Sequence, residues 1–248
     1  YEIEQDKYNY LGGKKNEIIA PQVPSISTAT GEDYIYDSKT HWAAEGYFGR
    51  VQYNYKEKYL LEANGRYDGS SKFEEGHRWA FFPSFSAGYN IDKETFWSSI
   101  SPYVNTLKLR GSWGSLGNHN VANYLYLPIM DIGTNLYWIM GSKRPNYTTA
   151  PGIISDNLTW ETSTTIDFGF EASFLKSRLS TSFDIFKRTT SRMFGPSEAL
   201  PLLLGTGVPQ KNNAELETKG FEWVVSWKDN IGDLSYSIRA SLSDNVTT

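Results

Sequence analysis

Cysteine is absent from the 248 residues. That excludes a disulfide framework, a thiol nucleophile and any cysteine-based zinc site. Long hydrophobic runs are missing as well. No stretch reaches the 18 or so apolar residues that a membrane-crossing helix needs. There is no excess of one charge either: 24 Lys and Arg stand against 28 Asp and Glu, a net charge of −4. The two signs are interspersed, so nucleic acid is not an expected partner. Histidine is scarce, and His41, His77 and His119 stand far apart with no HExxH spacing. A GxSxG elbow and a phosphate-binding glycine loop are also lacking. No catalytic residue, cofactor or metal is therefore expected. Asp68, Glu74 and Glu75 lie close enough to suggest calcium, but a solvated loop is the simpler reading. Asn146, Asn157 and Asn245 each head an Asn-x-Thr sequon, a chance feature in a bacterial chain and a glycan site in a eukaryotic secreted one.

What the chain does have is aromatic: 17 Tyr, 13 Phe and 8 Trp. Such amphipathic rings suit a membrane interface, and equally a tyrosine-rich sandwich or carbohydrate-binding domain. The average hydropathy is that of a water-soluble chain. In a barrel strand, however, only alternate residues meet lipid, and averaging conceals the apolar half.

Alternation with a period of two is the dominant pattern. In Leu234–Leu242 the apolar set Leu234, Tyr236, Ile238, Ala240 and Leu242 interleaves with Ser235, Ser237, Arg239 and Ser241. In 160–174, Trp160, Thr162, Thr164, Ile166, Phe168, Phe170, Ala172 and Phe174 oppose Glu161, Asp167, Glu171 and their polar neighbours. The same reading applies to 47–55, 59–68, 79–90, 107–113, 179–188 and 215–228, giving eight strands in all. Glu94–Ile100 reads as a short helix stopped by Pro102. The connections are sorted by length: those around 55–58, 175–177 and 229–233 are tight turns, whereas 68–78, 117–157 and 189–214 are long, with the link 91–105 the one exception on the short-turn side. Short turns at one end and long loops at the other are the mark of a transmembrane barrel, and a soluble sandwich has no reason for such sorting. The expected fold is all-β, an antiparallel transmembrane β-barrel.

The polar faces carry full charges. Glu62, Arg66, Arg110, Asp167, Glu171, Asp184, Glu222 and Arg239 are expected to line a wet lumen, with Leu109, Trp113, Phe168, Phe170, Phe183, Ile185, Trp223 and Ile238 facing lipid. Packing so many charges into a closed eight-stranded barrel would require nearly complete pairing. The eight strands are therefore read as part of a wider wall, with the first and last pairing to strands outside this sequence. The chain opens at Tyr1 with no signal peptide and trails off within a strand-like pattern, in keeping with a piece of a longer protein. The competing readings are a complete small barrel and a soluble β-rich glycan-binding or adhesion domain. In the long loop 117–157, Tyr124, Tyr126, Tyr137, Trp138 and Tyr147 are candidate ligand-stacking residues. Packing of these rings against neighbouring loops is the plainer alternative.

Several stretches together resemble one family. NYKEKYLLEANGRYDGSSKFEEGHRW at 54–79 is followed by FFPSFSAGYNIDKETFW at 81–97 and LKLRGSWGSLGN at 107–118. LTWETSTTIDFGFEASFLKSRLSTSFDIFKRTT at 158–190 and ELETKGFEWVVSW at 215–227 come later. In order and spacing these are similar to the barrel of SusC/RagA-like TonB-dependent outer-membrane transporters, over about residues 46 to 245. Residues 1–45 match less clearly and are read as an external loop, with 46–248 as barrel wall. The resemblance implies a 22-stranded barrel with an N-terminal plug, multi-pass in the bacterial outer membrane. It also implies a SusD-like surface lipoprotein as lid, energy from the TonB system, and import of oligosaccharides or peptides. This chain would supply wall, lumen lining and external loops, and the remaining strands, the plug and the lipid bilayer would be its partners.

Overall fold

The computed structural model describes residues 1–133, 136–155, 157–198, 201 and 207–248. Part of the long connection read at 189–214 therefore lies outside the described residues. Among the described residues eleven strands run in chain order: β1 (Glu2–Lys15), β2 (Asp33–Tyr55), β3 (Tyr59–Ser70), β4 (Trp79–Asn90), β5 (Val104–Asn118), β6 (Ile132–Gly133), β7 (Tyr147–Thr148), β8 (Glu161–Phe174), β9 (Leu179–Pro196), β10 (Gln210–Ile231) and β11 (Leu234–Thr247). Nine of them form one antiparallel sheet in the order β1-β2-β3-β4-β5-β8-β9-β10-β11, and β6 with β7 makes a separate small hairpin. The sheet does not close, because β1 and β11 are its two edges.

All eight expected strands are present, and a ninth joins them; the first of the eight, in β2, therefore pairs with β1 of this same chain and not with a strand outside it. The segment read as an external loop holds β1 and the first half of β2, paired from Glu2↔Gly46 to Lys15↔Asp33. The alternation of β1 was hard to see because both of its faces carry polar residues. The strands also run further than the pattern suggested: β2 spans 23 residues and β10 spans 22, against the usual 5–6 or so of globular proteins. Backbone pairing continues where the hydrophobic pattern fades, since ladder hydrogen bonds do not depend on side-chain polarity. Instead of one short helix, 91–99 forms two 3-10 turns, Ile91–Lys93 and Thr95–Ser99. Trp97 is buried there and its Nε1–H donates to the Val104 carbonyl at 3.0 Å.

At the short-turn end the backbone takes the left-handed region at Lys56 and Glu57, and again from Leu175 to Ser177. Side chains hold both turns. Asn54 Oδ1 accepts the Glu57 N–H at 2.9 Å, and Asn105 Oδ1 accepts the Ser177 N–H at 2.8 Å. Glu94 ties the 3-10 segment to the first turn. Its carboxylate accepts from Lys58 Nζ at 2.8 Å, Tyr89 at 3.1 Å and Tyr59 at 3.4 Å. The Lys58 hydrogen bond holds the Glu94 carboxyl below the usual range, against the opposing effect of burial.

Register places the side chains on two faces. One runs through Gln52, Glu62, Ser86, Ser112 and Asp167. The other runs through Val51, Ala63, Phe85, Trp113 and Ile166. We call them the charged face and the aromatic face. Large side chains on the aromatic face stand open, Val51 at 70%, Phe85 at 54% and Phe168 at 60% exposure. The best-buried cluster lies at the long-connection end and is small: Phe73, Phe82, Leu158 and Trp160.

Candidate functional site

The charged face is the place where polar chemistry collects, and it has two networks with a trough between them. The first spans β2, β3 and β4. Arg50 Nε–H donates to Asn64 Oδ1 at 2.7 Å, and Asn64 Nδ2–H donates to Glu62 Oε1 at 2.9 Å and to Ser84 Oγ at 3.3 Å. Gln52 donates to the other Glu62 oxygen. Two residues further along β3, Arg66 grips Asp68 with two hydrogen bonds of 3.0 Å and reaches Glu2 at 3.3 Å. A bidentate guanidinium–carboxylate pair fixes orientation as well as charge.

The second network spans β5, β8, β9 and β10. Arg110 Nη2–H donates to Asp184 Oδ2 at 2.6 Å, and Arg110 Nε lies 3.5 Å from Glu171. Asp184 sits directly opposite Glu222 in the β9–β10 register. Like charges facing each other across strands destabilise the pair, so Arg110 is the counter-ion that makes the arrangement tolerable. Asp167 and Arg188 line the same concavity of about 320 Å³ beside Arg110, Asp184 and Glu222. Arg239 shares the face on β11, opposite Ser226.

Between the networks the side chains are small: Ser84, Ser86 and Gly88 on β4, with Ser112 and Gly114 opposite on β5. The trough is about 520 Å³, with Gln52 and Glu62 on one flank and Lys108, Arg110 and Asp167 on the other.

Gly169 makes room for the second network. It lies across from Arg110 on one side and Asp184 on the other. A Cβ there would stand 1.9 Å from Asp184 Oδ1 and 2.8 Å from the Phe183 carbonyl. Gly169→Ala should therefore expel the Asp184 carboxylate and release Arg110, at a cost of about 1–3 kcal/mol. Comparing the thermal unfolding of Gly169→Ala with that of the double variant Gly169→Ala/Asp184→Ala checks this. If the single variant is as stable as wild type, the packing argument fails.

At the long-connection end the same face ends in an aromatic cluster. The Trp160 ring meets Phe73 and Phe82 at 5.5 Å and stacks on His119 at 5.0 Å. His119 in turn meets the edge of Trp42 at 5.6 Å, and Lys72 lies 4.7 Å over the Trp42 ring. Trp160 thus departs from the aromatic-face alternation expected of it. It precedes β8 and turns onto the charged face, where Phe82 supplies a partner. Alternation binds only residues inside a ladder, and Trp160 is outside it. The sequence did carry one clue, since Phe82 sits in the polar phase of β4 among Ser84 and Ser86.

Burial, and then the charge of Lys72, hold the His119 imidazole below its ordinary value of 6.5, against weaker opposing effects of Glu4 and Asp68. Its Nδ1 is buried with no protein partner. The unfolded chain then binds a proton more readily than the folded one, so this contribution is complete above about pH 6.5 and fades as pH falls below it. Tryptophan fluorescence of the folded protein should report loosening as pH falls below about 6.5. His119→Phe, which keeps a ring on Trp160, should abolish that step, and an unchanged step would assign it to another group.

The five candidate aromatic residues of the long loop are not gathered into one site. The Tyr124 hydroxyl accepts the His41 N–H at 2.8 Å and donates to the His41 carbonyl at 3.0 Å. It satisfies the edge of β2 beyond the end of β3, in place of a strand. Tyr147 lies over Gly133 in the β6–β7 hairpin. Tyr126 is half-buried, and Tyr137 and Trp138 stand open to solvent. Among the described residues no ring contact joins any two of these five. Among the described residues no group of three or more potential metal ligands forms.

The family model for the TonB dependent receptor-like beta-barrel matches residues 3–248. The chain belongs to the TonB-dependent receptor β-barrel family. TonB-dependent receptor P3 of Formosa agariphila is 33% identical over 199 residues, covering 80% of this chain and 19% of the relative. TonB-dependent receptor SusC of Bacteroides thetaiotaomicron is 31% identical over 199 residues, covering 77% of this chain and 20% of the relative. A solved structure of the RagAB peptide transporter superposes with a TM-score of 0.79 at 19% identity, covering 99% of this chain and 27% of that one. This TonB-dependent receptor segment spans about a fifth of the length of its curated relatives. Its open nine-stranded sheet is accordingly part of a larger barrel wall. These relatives are receptors by name, not enzymes.

Proposed function

We propose that this chain forms part of the wall of an outer-membrane transporter that imports oligosaccharides or peptides at the expense of TonB-transmitted energy. One observation carries the reading: a charged face backs onto an aromatic face bounded above and below by ring girdles. At the short-turn end Tyr55, Tyr59 and Tyr89 stack in a row, with centroids 6.4 and 5.0 Å apart. At the other end Tyr47 and Tyr67 stack on Trp79 at 6.2 and 5.0 Å. Tyr59 and Tyr67 are eight residues apart on β3, which is about 27 Å along the strand and about 20 Å of height at a tilt of roughly 40°. That approximates the apolar band of an outer-membrane barrel. Further round the sheet, Lys187 and Lys219 face each other just beyond Ile185 and Phe221, so charge begins where the band ends. In water such an open apolar face would be an aggregation surface, and in lipid it is at home.

On this reading the short turns are periplasmic and the long connections external. Glu62, Arg66, Arg110, Asp167, Glu171, Asp184, Glu222 and Arg239 line the lumen. Leu109, Trp113, Phe168, Phe170, Phe183, Ile185, Trp223 and Ile238 meet lipid. The RagAB neighbour is a peptide transporter, and SusC is a curated relative. A SusD-like surface lipoprotein over the external end fits the same assembly, with the TonB system, the plug and the remaining strands supplied elsewhere in the protein.

The absence of cysteine from this segment allows a direct test. Single cysteines replace Asp167 or Phe168 in the full-length protein in outer membranes. Asp167→Cys should react with a water-soluble maleimide and Phe168→Cys only with a lipid-soluble one. The opposite pattern would reverse the faces and remove the transport reading.

A further inference from the structure

We propose that the β1–β2 hairpin carries a second ligand surface, a tyrosine ladder on which a polyhydroxylated chain (an oligosaccharide) stacks before it reaches the charged trough. The import reading is assumed only for where the ladder lies, which is outside the membrane on the external side.

β3 pairs with β2 only as far as Ala44↔Ser70, so beyond that point β1 and β2 project as a two-stranded arm. Their register is unbroken, so each side chain's face is fixed. Tyr8, Tyr10, Tyr34, Tyr36 and Trp42 all fall in the phase of Gly46, which continues the charged face. The large aliphatic side chains of the arm, Leu11 and Ile35, fall in the opposite phase, as does Ile3 at its base. A random distribution would mix the two kinds.

The rings are ordered and open. Tyr8 and Tyr10 lie parallel with centroids 6.5 Å apart, and Tyr10 meets Tyr36 at 5.8 Å. The Tyr10 and Tyr36 hydroxyls touch at 3.5 Å. Gly12 lets the Tyr36 ring lie flat across the strand, because a Cβ there would stand 2.4 Å from the ring. Even so, exposure stays at 53% for Tyr8, 44% for Tyr10 and 51% for Tyr36. Trp42 continues the phase of the ladder and meets His119, which stacks on Trp160 beside a second concavity of about 350 Å³ on the charged face.

The chemistry of the face selects the occupant. It offers ring faces, hydroxyl tips and hydrogen-bonding neighbours such as Ser38 and Thr40, without a large aliphatic side chain. The negative face of an aromatic ring attracts the polarised C–H groups of a sugar ring, while the hydroxyl tips meet its hydroxyls. A protein partner seeking apolar burial would find it on the opposite side, at Leu11 and Ile35.

The test uses the full-length transporter in isolated outer membranes. Tyrosines are nitrated with tetranitromethane, with and without maltoheptaose, laminariheptaose or xylohexaose, and the modified sites are mapped by mass spectrometry. The expected result is protection of Tyr8, Tyr10 and Tyr36 by at least one of these sugars. The variant Tyr8→Ser/Tyr10→Ser/Tyr36→Ser should bind that sugar at least about tenfold more weakly, whereas the matching Phe variant, with its rings intact, should bind it nearly as wild type does. Protection by none of the three overturns the proposal. So does protection only when a surface lipoprotein is added without sugar, which would make the ladder a protein contact. Uptake of the protecting sugar is followed separately in energised and de-energised cells. Protection without energy-dependent uptake keeps the ladder and refutes import. Energy-dependent uptake that is the same in the Ser variant keeps import and refutes the ladder.

Discussion

Trp160→Ala is expected to destabilise the long-connection end by about 3–5 kcal/mol, the range for removing a buried aromatic side chain. Trp160 is 4% exposed and sits among Phe73, Phe82 and His119. Its Nε1–H donates to the Arg78 carbonyl at 2.8 Å, and this carbonyl also accepts the Ser70 N–H. Truncation thus opens a cavity and weakens the closure of the 71–78 connection at once. The neighbouring groups have little freedom to fill the gap. Phe73 is fully buried, and Arg78 is held by its own Nε–H bond to the Phe73 carbonyl. Limited proteolysis of the folded full-length protein should show faster cleavage within 71–78, and Trp160→Phe should recover part of the protection. Equal cleavage rates in wild type and Trp160→Ala would mean that this cluster does not hold the end together.

Phe85→Arg is expected to cost about 2–4 kcal/mol, whereas Ser86→Arg, one residue away, should be close to neutral. Phe85 stands midway between the two girdles on β4, stacked with Trp113 at 6.0 Å. On the lipid-facing reading a guanidinium there meets hydrocarbon in place of water. Ser86 points to the opposite face, where the trough holds Glu62 and Asp167. The measurement is the guanidinium dependence of folding into phospholipid vesicles for the full-length protein. Similar losses at the two positions would show that neither face meets lipid.

The β architecture was legible from the sequence because period two is a local property: each residue reports its own face through its neighbours two places away. Phe168 against Asp167, or Ile238 against Arg239, needed no partner strand to be sorted. The sorting of short and long connections was equally visible, since turn chemistry is written in a few adjacent residues. β1 was not legible. Glu4, Asp6, Lys7 and Asn9 place polar groups on both of its faces, and only pairing with β2 shows which way each one points. The candidate aromatics of 117–157 were chosen by residue type alone, and residue type does not say that Tyr124 would cap a strand edge at His41.

Sequence by itself determined the all-β class, the two chemically distinct faces and the end at which the long connections lie. Tertiary structure alone decided that Arg110 meets Asp184, that Gly169 clears space for them, that Trp160 leaves the aromatic phase for Phe82, and that Tyr8, Tyr10 and Tyr36 from two strands stack together. The physical reason is range. Alternation acts over a few ångströms along one strand, whereas an ion pair between residues 74 positions apart depends on the register of three strands, and register is settled only when the sheet assembles.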